Sequence, residues 1–177
     1  MRSDRVLGLQ IDDRIVFRQK TGANKIQTVD IDPELKPDYV ASATDLPIEN
    51  DSFDCVCAFQ MLEHLPYDEA LKAFGEMVRV SKKHIVISLP DARKLYPYSL
   101  HIPKLGVRHF FIPRPYFKPK VHQYDGEHYW EINKRHYPLN KIMKDFGSDD
   151  IKVLRTYRVK EQLYHRFFVF EKVDDLL

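Results

Sequence analysis

The stretch SFDCVCAFQMLEHLPYDEALKAFGEMVRVSKKHIVISLPD, Ser52 to Asp91, decides the fold. SFDCVCAF (Ser52–Phe59) reads as a strand whose Phe53, Cys55, Cys57 and Phe59 share one face at period two. In YDEALKAFGEMVRVS the apolar Ala70, Leu71, Phe74, Met77 and Val78 recur at helical spacing. Asp68 and Glu69 stand in the first turn, where the helix dipole favours acid. HIVISLP (His84–Pro90) is a nearly continuous apolar run, of the kind that helices cover on both faces. Strand, helix, strand in this order predicts a parallel sheet with crossover helices.

The flanking sequence extends the pattern. KIQTVDI (Lys25–Ile31) is a β-branched strand that stops at Asp30-Ile31-Asp32-Pro33, and Tyr39-Val40 is a brief further strand. PLNKIMKDFG (Pro138–Gly147) reads as a short helix with Gly147 as its stop signal. IKVLRTYRV (Ile151–Val159) and YHRFFVFEK (Tyr164–Lys172), joined by a short polar link, predict an antiparallel hairpin that closes the sheet. Residues 92–137 read as an insertion. No acid occurs from Ala92 to Tyr124, while Arg93, Lys94, Lys104, Arg108, Arg114, Lys118 and Lys120 interleave with aromatics and prolines. The expected architecture is one α/β domain over residues 1–177, a mostly parallel sheet with this basic Pro/aromatic-rich insertion.

Composition sets the class. With 177 residues, 44% of them hydrophobic and 31% charged, the chain can bury a proper core and is neither disordered nor membrane-like. No apolar stretch approaches the roughly 20 residues a bilayer requires, and MRSDRVLGLQ is broken by charge before a signal-type region forms, so a cytoplasmic protein is expected. A net charge of +2 leaves any attraction for anionic partners to local patches. Cys55 and Cys57, two apart in a strand and so about 7 Å from each other along it, are expected to be reduced core residues.

Val29 to Asp91, about a third of the chain, resembles the central part of a class I S-adenosylmethionine-dependent methyltransferase, type 11-like. An acid closes one strand, LP precedes an acidic SFD, a strand ends near LEHLP, and a helix leads into an ISLP strand. The resemblance implies a Rossmann-like methyltransferase fold and methyl transfer from S-adenosylmethionine to a small or medium-sized acceptor. It places Asp30, with Ile31 beside it, where a carboxylate accepts the ribose hydroxyls of the cofactor. It places Ser42, Ala43 and Thr44 where a loop passes the adenine, with Ser42 standing where the family often has Asp. Phe59 and Gln60, with Met61, fall on the pocket wall.

Chemistry offers alternatives at each of these positions. Asp30 also suits a solvated turn beside Asp32, and Asp45 suits a backbone-capping turn. His64 suits orienting an acceptor or taking its proton near neutral pH, with Glu63 next to it; either residue equally suits capping the helix that follows. His128, Trp130 and Glu131 are the substrate-side candidates of the second half, and packing over the sheet explains them as well. The insertion suits a lid for an anionic acceptor, or a Pro-rich cover with its charges in water. Aromatics beside cations also suit single-stranded nucleic acid, though this is not the expected partner. His122, His128, His136 and Glu127 match no standard zinc spacing, and no metal is expected.

One departure stands out. The family's Gly-rich turn after the first strand is absent: the chain has six glycines and no GxG. The corresponding loop is Gly8-Leu9-Gln10-Ile11-Asp12-Asp13, where Gln10 and Ile11 crowd a backbone that should approach ligand and the two acids neighbour the cofactor's carboxylate. Residues 8–19 read either as strand, loop and helix or as a hairpin turning at Asp12-Asp13. Cofactor binding is therefore expected to be weak, altered or lost. A catalytically inactive binding or assembly module is the rival reading.

Overall fold

The computed structural model describes residues 5–9, 25–115 and 118–173. Its main sheet is built from β1 (Arg5–Leu9), β2 (Lys25–Asp30), β3 (Tyr39–Val40), β4 (Phe53–Phe59), β5 (Ser81–Pro90), β8 (Ile151–Val159) and β9 (Gln162–Lys172). A separate ribbon comprises β6 (Leu95–Ile102) and β7 (Gly106–Pro113), and the helices are α1 (Tyr67–Val80) and α2 (Leu139–Asp145). The strand order is β3-β2-β1-β4-β5-β9-β8. The first five strands run parallel, β9 is antiparallel to β5, and β8 is antiparallel to β9. The mostly parallel sheet and its antiparallel C-terminal hairpin are those expected.

The α1 crossover follows its apolar spacing. Ala70, Ala73, Phe74, Met77 and Val80 are buried, and Phe74 meets Phe146 and Phe170 at ring separations of 5.0 and 4.9 Å. Leu71 and Val78, expected on this face, flank it and are only half buried. Burial of each large apolar side chain contributes roughly 1.5–3 kcal/mol, so this interface holds β4 and β5 together. In β4, Val56, Cys57 and Ala58 are consecutive buried residues, because a central parallel strand is covered on both faces. Cys55 and Cys57 are free, with sulfurs 3.7 Å apart.

The structure changes two sequence expectations. Gly147 ends α2 by close approach: a Cβ there would stand 2.7 Å from the Met143 carbonyl oxygen, and the residue is not in the left-handed region. Gly147→Ala is expected to lower stability by about 1–3 kcal/mol, measured by urea unfolding; an unchanged midpoint would show that the carbonyl can move aside. The insertion, in turn, contains a regular antiparallel ribbon, from Leu95 opposite Pro113 to Ile102 opposite Gly106. Tyr98, Leu100, Val107 and Phe110 are exposed on it.

The N-terminal alternative is narrowed from one side. Gly8 and Leu9 pair with Thr28 and Val29 on one edge and with Cys57 and Ala58 on the other. Neither has an edge left for a hairpin partner. Residues 10–24, on which the rest of that reading falls, lie outside the described residues. No helix among the described residues is long and apolar enough to cross a membrane.

Past β5 the chain is held by a polar hub. Asp91, 2% exposed, accepts hydrogen bonds from Arg166 Nε at 2.8 Å, Asn133 Nδ2 at 2.7 Å and the Arg93 amide at 3.0 Å, and pairs with Arg158. Its amide donates to Tyr164 O at 2.8 Å, while the Ile132 amide donates to Pro90 O at 2.9 Å. The segment carrying Trp130 and Glu131 is thereby laid along the C-terminal edge of the sheet.

Candidate functional site

Parallel strands end together, and the crevice outside their carboxyl ends is where this kind of sheet binds ligands. Here a cavity opens there, lined by Leu9, Val29, Asp30, Ile31, Ala41, Ser42, Ala43, Met61 and Leu65. Among the described residues, Asp30 is its one charged lining residue. Asp30 is 6% exposed, and its Oδ1 accepts the Asp32 amide at 2.9 Å. Its Oδ2 is buried with no hydrogen-bond partner among the described residues. A carboxylate oxygen left unpaired in an apolar wall costs free energy unless a ligand donates to it. That arrangement fits a diol flanked by a flat apolar group, as in the ribose and adenine of S-adenosylmethionine.

The neighbouring loops are locally determined. Ser42 Oγ and Thr44 Oγ1 lie 2.9 Å apart, and the Thr44 amide donates to Ser42 Oγ at 3.3 Å, so these hydroxyls shape their own turn. Gln60 has φ of 51°, a left-handed conformation that a non-glycine residue adopts only where the surroundings impose it. Its amide donates to Ser88 O, and the bend sends Met61 and Leu65 into the cavity wall. Phe59 points elsewhere and meets Phe167 at 6.0 Å.

A second group of polar residues forms behind the Leu62–His64 turn. The Tyr129 amide donates to Glu63 O at 2.9 Å, and Trp130 Nε1 donates to Leu65 O at 3.1 Å, docking the 122–132 segment on this turn. His128 consequently packs against His64, with ring centroids 5.1 Å apart. Glu63 is fully buried, and neither carboxylate oxygen has a hydrogen-bond partner in another described residue. Burial pushes its carboxyl up to about 8; its own backbone amide opposes the rise and the nearby charge of Glu131 adds to it. His64 Nδ1 lies 3.1 Å from Glu127 O. A carbonyl only accepts, so Nδ1 is the donor in this contact and Nε2 takes no part in it. Glu131 Oε1 stands 3.7 Å from His122 Nδ1 and 3.9 Å from His128 Nδ1, while Oε2 faces Lys134 at 3.6 Å.

Comparison with known proteins agrees with this geometry. Residues 2–87 match the family model described as a methyltransferase domain. That match spans just under half of the chain, which on this ground resembles the S-adenosylmethionine-dependent methyltransferases. An S-adenosylmethionine-dependent methyltransferase from Mesorhizobium loti is similar in fold, at 14% identity and a TM-score of 0.58, over 96% of this chain and 91% of that one. A Burkholderia thailandensis 1,6-didemethyltoxoflavin-N1-methyltransferase, solved with that compound and S-adenosylhomocysteine, is similar at 13% identity and a TM-score of 0.57, over 98% and 72%. A methyltransferase from Aquifex aeolicus follows at 14% and 0.54, over 97% and 83%. No curated protein matches the sequence.

In this chain, Asp30, Ile31, Ser42 and Ala43 stand together on the cavity, whereas Thr44, Phe59 and Gln60 are not among its described lining residues. Glu63, His64, His128 and Glu131 converge at the neighbouring turn. Trp130 does not face open space: it is wholly buried and packs edge-on against Tyr67 at 5.0 Å. Leu9, Ala41 and Leu65 line the cavity without having been singled out in the sequence, because an apolar residue carries no chemical signature of a ligand wall. The methionine-end loop lies outside the described residues from Gln10 onward.

Proposed function

We propose that this chain transfers the methyl group of S-adenosylmethionine to a small anionic acceptor. The observation that supports the cofactor half is the buried, unpartnered Asp30 Oδ2 in an otherwise apolar cavity at the carboxyl edge of the parallel sheet. When bound, S-adenosylmethionine supplies a methyl group already activated on a sulfonium, so the protein chiefly positions the reactants and excludes water. Asp30 accepts the ribose hydroxyls, and Ile31 and Ala43 cover the adenine. Ser42 and Thr44 hold the adenine loop, Phe59 and Gln60 fix the bend into the next turn, and Met61 and Leu65 keep water out. At the rim, His64 Nε2 orients the acceptor or takes its proton, with Glu63 beside it; His128 and Glu131 face the acceptor from the docked segment.

The anionic character of the acceptor rests on a cleft lined by Lys94, Arg114, Lys118, Lys120 and Lys134 together with Ala92 and Pro115. Lys134 joins this cleft to Glu131. Such a concentration of cations, with no acid among the described lining residues, suits a carboxylated or phosphorylated small molecule.

The test is calorimetric titration of the full chain with S-adenosylhomocysteine, followed by assay of methyl transfer from labelled S-adenosylmethionine to carboxylated and phosphorylated compounds. Binding with transfer supports the reading. Absence of heat and of thermal shift at millimolar ligand overturns it. That result would favour a non-catalytic binding module, which the glycine-poor segment Gly8–Asp13 already suggests.

A further inference from the structure

We infer that Glu63, His64 and His128 form a binding site for one divalent transition-metal cation at the rim of the cofactor cavity. The side-chain donor atoms of these three residues all lie within 4.8 Å of one another. Two metal–ligand bonds of about 2.1 Å span about 4.2 Å at most, so side-chain rotation of under about 1 Å closes the set on an ion. One carboxylate and two imidazoles are the donors that zinc, cobalt and ferrous ions accept, leaving positions open for a further ligand.

Three independent features point to an ion. Glu63 is fully buried, yet both of its carboxylate oxygens lack a hydrogen-bond partner in any other described residue. A buried carboxylate is normally paired or coordinated. His64 already has the outer contact of a metal ligand, Nδ1–H donated to the Glu127 carbonyl at 3.1 Å, which orients the ring and leaves Nε2 free. His128 Nδ1 is likewise buried and makes no hydrogen bond among the described residues, Glu131 Oε1 standing 3.9 Å away. The group Asp125, His128 and Glu131 is also compact. Its acids are committed, however: Asp125 Oδ1 accepts the amides of Glu127 and His128, and Glu131 faces Lys134. The Glu63 set is therefore the site.

Sequence spacing conceals it, because Glu63 and His64 come from the turn after β4 and His128 from a distant segment. Met61 and Leu65, on either side of the two turn ligands, line the cofactor cavity. A cation here would hold an acceptor through an oxygen or nitrogen lone pair and lower that atom's pKa, the His64 lone pair then being committed to the metal. This last step rests on the methyl-transfer reading, whereas metal binding does not.

The test uses the chelator-treated full chain without S-adenosylmethionine, titrated with Co2+ and with Zn2+. The expected result is one equivalent bound at micromolar or tighter affinity, a visible Co2+ absorption band and a rise in melting temperature. His128→Ala and Glu63→Gln should each weaken binding by at least about 100-fold, more than loss of an outer contact does. Asp125→Asn and His136→Ala should leave it unchanged. Glu63→Gln keeps the volume of the buried side chain and should still fold, so its result stands if His128→Ala does not express. No binding at millimolar metal, or binding undiminished in Glu63→Gln, overturns the site. Neither outcome alters the S-adenosylhomocysteine titration.

Discussion

Replacing Asp30 with Asn is expected to weaken S-adenosylhomocysteine binding by at least about 100-fold while leaving thermal unfolding unchanged. The two halves of the carboxylate have different jobs. Oδ1 accepts the Asp32 amide and shapes the turn after β2, and an asparagine carbonyl keeps that contact. Oδ2 faces the cavity without a partner, and the asparagine amide would present donors there instead of an acceptor. Hydrogen bonds to an ionised acceptor contribute roughly 1.5–3 kcal/mol each, so loss of a ribose pair spans about two to four powers of ten in affinity. Calorimetry beside a melting curve separates ligand loss from misfolding. Equal binding by the variant would place the cofactor elsewhere, whereas a lowered melting temperature would assign both oxygens to the fold.

Asp91→Ala is expected to destabilise the protein by about 3–5 kcal/mol, because it leaves two guanidinium groups without their shared counter-ion. The side chains of Arg158 and Arg166 are 5% and 18% exposed, and that of Asp91 is fully buried. Burial alone would raise the Asp91 carboxyl, but hydrogen bonds from Arg166, Asn133, the Arg93 amide and Arg158 hold it below the ordinary aspartate value near 3.8. A depressed folded pKa adds stability that is present above the unfolded value and is lost as pH falls through the folded one. The native chain should therefore lose stability below about pH 4, and the variant should lack this contribution to its acid limb. Urea unfolding at neutral and acid pH measures both. A variant with native stability at neutral pH would show that water satisfies the two arginines.

The hub also bears on function, since Asp91 and Ile132 lay the 131–133 segment against the end of β5. If the Asp91 variant still folds, its rim should loosen before its sheet. Exposed elements differ in this respect: the β6–β7 ribbon pairs only with itself in the sheet topology, and its regularity was hidden in sequence by Pro97, Pro103 and Pro113 and by aromatics that face no core.

The sequence by itself determined the sheet and the acid that ends β2 on the cavity wall. Period two in Ser52–Phe59, helical spacing in Tyr67–Val80 and the apolar run of His84–Pro90 are local patterns. Local backbone geometry turns such patterns into strands and helices, and a crossover helix between strands leaves little choice but parallel order. Asp30 was legible for the same reason, an acid at a point where a strand must stop. Only the tertiary structure decided the rest. It brought Leu9, Ala41 and Leu65 to one wall, gave Trp130 to the core, and set His128 beside Glu63 and His64. These placements come from backbone hydrogen bonds between distant segments, such as Tyr129 to Glu63 and Ile132 to Pro90, and from burial that leaves a carboxylate without water. Neither is encoded in spacing along the chain, because both arise only when segments far apart in sequence exclude solvent together.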